Sequence, residues 1–361
     1  MKPGTAEDAA ALLKTLGEEG RTVVPRGGGT KPWGPPGEGA VVETTGLARL
    51  LEHNVGDFTA ILEAGAPLAD AQAAFEAEGQ MLALDPALND RATIGGIMAT
   101  ADSGPLRHRY GGVRDLVVGA TVALSDGTLA KSGGKVIKNV AGYDLAKLFT
   151  GSYGTLGLIV RVAVRLHPLP PRTATAIGAS DDPDVLGAAA TDLASHPLEA
   201  DSLDVDWRDG AGRLLVRFGS AAADQQAAAT VARMEALGLE ERGVVEDDDE
   251  LWMAQRVHQR GVCVLKVSGR IGDLPAVCRT GAGVVGRAGL GLFWLALDPA
   301  DVAGAREALA PRACTLLDAP PELREHAWAD PDPGALAVMA RVKERFDPAR
   351  IFRPGAFVGG I

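Results

Sequence analysis

Apolar positions recur along this chain with two periods, and the switches between them predict its elements. From residue 6 to residue 18, Ala9, Leu12, Leu13 and Leu16 share one face of a helix that Gly17 and Gly20 close. Residues 22–24 and 41–44 are rich in β-branched side chains and read as short strands, and "FTAILEAGAP" as a strand stopping at Gly65. "LADAQAAFEAEG" returns to the helical period and ends at Gly79. "ATIGGIMATADSG" is small and apolar, a short helix flanked by loops. "DLVVGATVALSDGTLAKSGG" predicts a hairpin turning on Asp126-Gly127. "YDLAKLFTGS" predicts a helix, and residues 159–166 a strictly alternating strand. Pro168, Pro170 and Pro171 then mark a domain boundary.

Beyond the prolines the rhythm changes. "DSLDVDWRDGAGRLLVRFGS" predicts a hairpin around Asp209-Gly210, followed by a helix over residues 221–237. A strand over 262–267, a helix over 274–285 and a strand over 290–297 complete a strand-helix-strand pattern, which predicts a ferredoxin-like α+β domain. Residues 331–346 read as a helix and "FDPARIFRPGAFVGGI" as an extended tail. The acidic run "EDDDE", residues 246–250, reads as a solvated turn. No repeat of solenoid period is visible.

Composition narrows the function classes. A length of 361 residues suits two domains, and 46% apolar with 23% charged residues suits a soluble globular protein. Acidic residues outnumber basic ones, 47 to 36, for a net charge of −11, which argues against nucleic acid as a partner. Cys263, Cys278 and Cys314 are odd in number and widely spaced, without a zinc or disulfide pattern, as expected in a reducing compartment. The first twenty residues lack the apolar core of a secretory signal, and no apolar run is long enough for a membrane span. The expected location is the cytoplasm.

The candidate chemistry lies in glycines. In "TVVPRGGGTKPWG" three consecutive glycines follow a strand and are flanked by Arg26 and Thr30. Such a run exposes backbone N–H groups that can hold a phosphate. It is not a Walker loop, because no Gly-Lys-Ser/Thr follows. "GAGVVG", with Gly281, Gly283 and Gly286, matches a dinucleotide fingerprint by letter but sits at a helix end running into a strand, where that motif does not work. Two further small-residue clusters, "TIGGIMATADSG" and "GSYGTLGLIV", fit a backbone wrapped around a long flat ligand.

"PRGGGT", "TIGGIMATADSG", "RYGGVRDLVVG", "KNVAGYDLAKLFTGSYGTLGLI" and "FDPARIFRPG" together resemble the vanillyl-alcohol oxidase-type, or PCMH-type, FAD-binding proteins. The fourth string is most similar to the FAD-binding subunits of bacterial glycolate oxidases. The resemblance implies an α+β PCMH-type FAD-binding domain of two subdomains over residues 1–170. A smaller ferredoxin-like cap domain over 171–330 would follow, with a helix and tail over 331–361 returning to the FAD domain. It implies pyrophosphate on Pro25, Arg26, Gly27, Gly28, Gly29 and Thr30. Thr93, Gly95, Gly96, Ala99, Ser103 and Gly104 would line the flavin and ribityl chain, Gly154 and Ile159 would lie near the adenosine end, and Tyr110 and Gly111 would close the groove. Relatives often carry Asn near Ala101, Glu near Tyr153 and Asn near Arg353. Lys135, Lys138 and Arg107 are candidates for stabilising anionic flavin or pyrophosphate.

Relatives that tether flavin use a His beside the glycine loop, or a Cys or Tyr elsewhere. Thr30 holds the loop position here and the cysteines lie past the boundary, which implies non-covalent FAD. The family's 2-hydroxy-acid dehydrogenases use a His-x-His pair for a metal; His53, His108, His167, His196, His258 and His326 contain no such pair, so no metal is expected. Arg256 and His258 are the candidate carboxylate anchor and base, against the plainer reading of a solvated helix face. The implied function is the FAD-binding subunit of a glycolate (2-hydroxy-acid) oxidase. Its partners would be a catalytic flavoprotein subunit and an iron–sulfur subunit, with peripheral attachment to the inner membrane through them. A self-sufficient FAD-dependent 2-hydroxy-acid or alcohol dehydrogenase and a non-catalytic assembly module are the alternatives.

Overall fold

The computed structural model describes residues 1–88, 90–134 and 144–361. The chain forms two compact units. The first comprises Met1–Ser103, Gly111–Leu169 and Asp330–Ile361, and the second Gly104–Tyr110 and Pro170–Ala329.

In the first unit, α1 (Ala6–Glu18) starts at Thr5, whose hydroxyl accepts from the Asp8 amide at 3.0 Å. Its buried stripe is Ala6, Ala9, Ala10, Leu13 and Leu16, with Leu12 only partly covered. The stripe packs on Val23, Val42, Leu158, Val160 and Phe352. β1 (Val23–Arg26) and β2 (Ala40–Glu43) pair in parallel. On the other side of β1, Val23 bridges Phe352 of the C-terminal tail.

The elements that follow in the chain are β3 (Leu50–Asn54), β4 (Thr59–Glu63), α2 (Leu68–Glu76), β5 (Gln80–Met81) and α3 (Ile94–Thr100). Next come α4 (Arg107–Tyr110), which belongs to the second unit, then α5 (Val113–Leu116), β6 (Val117–Ala123), β7 (Leu129–Gly133), α6 (Ala146–Phe149), β8 (Leu158–Arg165) and β9 (His167–Pro168). The main sheet has the order β3-β4-β8-β6-β7, antiparallel throughout. β8 is its middle strand, buried on both faces except at Arg161 and Arg165. The alternation expected over 159–166 therefore gives way to an apolar run, because this strand has cover on two sides.

The second unit is a single sheet built twice. The first set is β10 (Thr173–Ser180), α7 (Pro183–Ser195), β11 (Ser202–Arg208), β12 (Ala211–Gly219), α8 (Ala223–Ala236) and β13 (Glu240–Val245). After α9 (Asp249–Val257) comes the second: β14 (Val264–Ser268), α10 (Leu274–Cys278), β15 (Gly283–Arg287), β16 (Leu292–Ala296), α11 (Val302–Leu309) and β17 (Ala313–Leu316). Each set is a ferredoxin-like βαββαβ unit. The eight-stranded order β13-β10-β12-β11-β15-β16-β14-β17 joins them edge to edge, with Val205 opposite Gly286. Leu186, Leu193, Ala227, Met234, Val277 and Leu309 of the helices form one core with Val205, Trp207, Leu214 and Leu295 of the strands. The ferredoxin-like pattern expected once is thus present twice.

Two sequence expectations are corrected here. The helix over 274–285 ends at Cys278; Gly281 turns at φ 78° and residues 283–287 are strand. Gly286 allows this, since a Cβ there would lie 2.7 Å from the Leu292 carbonyl across the β15–β16 pair. Nor is the acidic run simply a solvated turn. Asp248 is buried and takes the Arg217 guanidinium in a bidentate pair at 2.7 and 3.1 Å, with hydroxyls of Thr173 and Thr175 donating to it. By contrast the hairpin at Asp209 (φ 53°) and Gly210 (φ 82°) has the two left-handed residues its sequence demands. The chain closes with α12 (Pro333–Phe346), back in the first unit.

Candidate functional site

Each glycine of the Gly27–Gly29 loop is required for a different reason. A Cβ on Gly27 would collide with the Thr93 hydroxyl, and one on Gly28 with the backbone carbonyl of Arg91. Gly29 has open space but sits at φ 67°, where an L side chain is strained. The loop thus lies on residues 91–93, where Thr93 caps α3 by accepting from the Gly96 amide at 3.3 Å. Among the described residues, the amides of Gly28 and Gly29 donate to no protein acceptor. Both glycines are exposed, and so is Arg26 at the loop's start. A strip of unspent N–H donors beside a guanidinium, on a support too close to admit side chains, fits a pyrophosphate.

Behind the loop stands an ion pair that sequence reading missed. Lys31 Nζ lies 3.4 Å from Asp102 Oδ2, with side-chain exposures of only 4% and 6%. It ties the residue after Thr30 to the segment after α3. The available signal was a lone carboxylate in the small, apolar string "ATADSG". The Tyr153 phenol is pushed up by burial and further by the Asp102 charge. Its amide donates to the Ala99 carbonyl at 2.8 Å, and the Arg353 guanidinium donates to the Tyr153 carbonyl at 2.8 Å and to that of Pro35 at 3.0 Å. The three departures from the family pattern share one geometry: Ala101, Tyr153 and Arg353 have φ of 50°, 55° and 43°. Asn is tolerated in the left-handed region better than these residue types, so the backbone shape is kept here by its surroundings.

The other expected site residues divide. Gly154, at φ 73°, faces Pro25, with 3.2 Å from a would-be Cβ to the proline ring, so these two close on each other. The Gly95 amide donates to the Ala64 carbonyl at 2.7 Å, and a Cβ on Gly95 would stand 2.6 Å from Ala64 Cβ; that glycine serves packing. Ser103 is buried. Ile159 is buried within β8 opposite Val122. Gly111, at φ 79°, turns the chain against Asp115, which accepts from the Gly112 amide at 2.8 Å.

Gly104, Arg107 and Tyr110 belong to the second unit. There burial raises the Tyr110 phenol, the Asp201 charge adds to it, and Arg109 and Arg217 oppose it. Arg256 and His258 are also in the second unit, at the end of α9, whereas the glycine loop is in the first. His258 is held low by burial and by the Arg208 charge, with Asp206 opposing. Lys135 and Lys138 lie outside the described residues.

An α+β unit with a glycine cradle, followed by a ferredoxin-like sheet, is the architecture of PCMH-type FAD-binding proteins, and FAD is the cofactor such a domain holds. Residues 1–133 match the family model described as an FAD binding domain. A solved alkyldihydroxyacetonephosphate synthase has the same fold, with a TM-score of 0.74 at 15% identity over 98% of this chain and 76% of that one. Glycolate oxidase subunit GlcD of Bacillus subtilis is 34% identical over 54% of this chain and 42% of its own length. Glycolate oxidase subunit GlcE of Escherichia coli is 36% identical over 38% and 39%. The mitochondrial D-lactate dehydrogenase [cytochrome] of Arabidopsis thaliana is 34% identical over 48% and 31%. The matches span less than half the length of each of these relatives. Among the described residues, no helix is long and apolar enough to cross a membrane.

Proposed function

We propose that this chain is the FAD-binding subunit of a glycolate (2-hydroxy-acid) oxidase, holding FAD non-covalently beside a catalytic flavoprotein subunit and an iron–sulfur subunit. The observation that carries the proposal is the Gly27–Gly29 cradle, with free amides at Gly28 and Gly29 and a floor at Arg91–Thr93. Similarity to two kinds of glycolate oxidase subunit supports the substrate class. FAD, when bound, supplies the acceptor for a hydride from a hydroxyl-bearing carbon. The chain's own residues bind and orient it. The loop amides meet the pyrophosphate, Arg26 adds positive charge, and the buried Lys31–Asp102 pair fixes the loop's far end. Thr30 stands where relatives that tether flavin carry a histidine, and Cys263, Cys278 and Cys314 are buried in the second unit.

Oxidising a 2-hydroxy acid also requires an anchored carboxylate and a base for the hydroxyl proton. The six histidines include no pair two residues apart, and the division of labour follows from that. The purified chain is expected to be yellow and to release its flavin to the supernatant on acid precipitation. Glycolate or D-lactate should not bleach it until the partner subunits are added. Flavin in the acid pellet would refute the non-covalent reading. Rapid bleaching in the chain alone, abolished by His258→Ala, would replace the subunit reading with a self-sufficient dehydrogenase.

A further inference from the structure

Seven residues of the second unit come from the middle of the first. The chain leaves the first unit at Ser103, runs through Gly104–Tyr110 as part of the second, and re-enters the first at Gly111. This strap carries α4. Its amides at Arg107, His108 and Tyr110 donate to the carbonyls of Gly104, Pro105 and Leu106 at 3.2, 3.1 and 3.0 Å. A helix of four residues does not hold itself in water, so its order comes from what it docks on.

Two contacts dock the strap, and both titrate. At the first, the His108 ring lies in a notch left by Gly289, in the single turn Ala288–Leu290. A Cβ on Gly289 would stand 2.6 Å from His108 Cε1, 2.9 Å from its Nδ1 and 3.1 Å from Leu203 Cδ2 of β11. His108 Nδ1 is buried and, among the described residues, has no hydrogen-bond partner. Burial alone holds the ring below the usual histidine value. The acidic groups on the surrounding elements are taken up elsewhere: Asp204 of β11 by Arg287, and Asp184 and Asp192 of α7, which packs on the same turn, by Arg279 and Arg233. Asp273, from the turn that also packs there, is held by Arg312. The neighbours of His108 on the strap are Arg107 and Arg109, which offer it no counter-charge. At the second contact, Arg109 Nη1 donates to the Glu199 carbonyl at 2.6 Å and lies 3.3 Å from Asp201 Oδ1. Asp201 is buried, its amide donating to the Arg217 carbonyl at 2.8 Å and its carboxylate lying over Gly219, where a Cβ would collide with it. Burial raises the Asp201 carboxyl to about 6; the Arg109 and Arg217 charges pull it down and Asp248 pushes it up.

We propose that Gly104–Tyr110 is an acid-released strap, docked on the second unit near neutrality through His108 and Arg109 and let go as both contacts titrate. The two signs agree. A neutral His108 leaves one lone pair unmet in the notch, whereas an imidazolium leaves a charge and an N–H unmet. Its contribution is therefore present above the free histidine value and lost as pH falls through the lower docked one. The attraction of Arg109 needs an ionised Asp201 and is lost as pH falls through about 6. The buried Asp201 carboxyl itself is easier to accommodate protonated, so the strands around it tighten in acid while the strap loosens. The device is independent of the proposed substrate and partners.

Amide exchange of the full chain, followed by mass spectrometry in peptides covering residues 104–110 and corrected for the intrinsic rate at each pH, tests the strap. Its protection should fall severalfold between about pH 7.5 and about pH 5, while β11 and β15 keep or gain theirs. His108→Leu fills the notch with a side chain that does not titrate and should retain most of the strap's protection in acid. Asp201→Asn removes the ion pair at every pH, so it should loosen the strap at about pH 7.5 and leave only the His108 part of the response. Gly289→Ala closes the notch and should expose the strap already at about pH 7.5. Melting temperature and flavin content report whether each variant is folded. Equal protection of the strap at the two pH values, a loss shared equally by β11 and β15, or an unaltered response in His108→Leu would overturn the proposal. If His108→Leu does not fold, Gly289→Ala tests the same notch from its other wall, and full protection of the strap in that variant would overturn it.

Discussion

The two units solve opposite problems. The first makes room by omission: at Gly27 and Gly28 it removes side chains so that the loop can lie on Arg91–Thr93, and it holds Ala101, Tyr153 and Arg353 in left-handed conformations. The second is regular, a doubled βαββαβ sheet with an apolar face under its helices and a face of paired charges opposite. The first unit therefore depends on backbone shape, where one added carbon matters. In the second it depends on charges being matched, where one lost proton acceptor matters.

The largest test of that contrast is on the charged face. Asp248→Ala leaves Arg217 buried with its main partner gone, and we expect a loss of about 3–5 kcal/mol in urea unfolding. FAD binding by the folded fraction should persist. In the first unit, Gly28→Val drives a branched side chain into the Arg91 carbonyl; we expect about 1–3 kcal/mol of destabilisation and flavin content below a tenth of the parent's by absorbance. Gly29→Ala, with open space but a left-handed φ, should cost about 1 kcal/mol and retain FAD. A flavin-loaded Gly28→Val protein would show that the loop is only a turn.

Acid should separate the units with the opposite sign. Burial raises Asp201 and Asp204 from 3.8 to about 6, so in the folded second unit they keep protons that the unfolded chain releases. The stability they contribute is complete below the unfolded value and lost as pH rises through about 6. Glu63 of the first unit behaves in reverse: burial pushes it up, but the hydrogen bonds and charge of Arg49 outweigh that and hold it low. Its contribution is present above the unfolded value and lost as pH falls through the folded one. Moving from about pH 7 to about pH 5 should favour the second unit by about 1 kcal/mol per raised carboxyl. Amide exchange in β11 and β15 compared with β4 and β8 would read the difference; a shift of the wrong sign refutes it. The smallest effect expected is Ala101→Asn, a gain of a few tenths of a kcal/mol, approximately, in thermal unfolding, since Asn is better tolerated at φ 50°.

The same contrast explains what could be read from the sequence. The steric demand at Gly27–Gly29 was legible because a run of three glycines is local in the chain. The hairpins at Asp126-Gly127 and Asp209-Gly210 were legible for the same local reason. The Lys31–Asp102 pair was not, since it joins residues whose proximity only the fold creates. Asp248 was misread because an acidic run looks alike whether or not an arginine 31 positions away covers one member of it. The doubled sheet escaped notice because its halves share topology, not residues. Residues 283–285 of β15 were absorbed into a helix by their apolar neighbours.

The first unit is also closed late. β1, the strand that delivers the glycine loop, is bordered on one side by β2 and on the other by Phe352. Lys343 buttresses that second border by donating at 2.7 Å to the carbonyls of Thr155 and Phe352 and to Asp347. The chain must therefore thread through all of Pro170–Ala329 before the cradle's strand gains its second neighbour. Closing that second border spans more than three hundred residues, an entropic cost that contacts near in sequence do not carry. A chain cut inside the second unit would carry the glycine loop on a strand with one border instead of two.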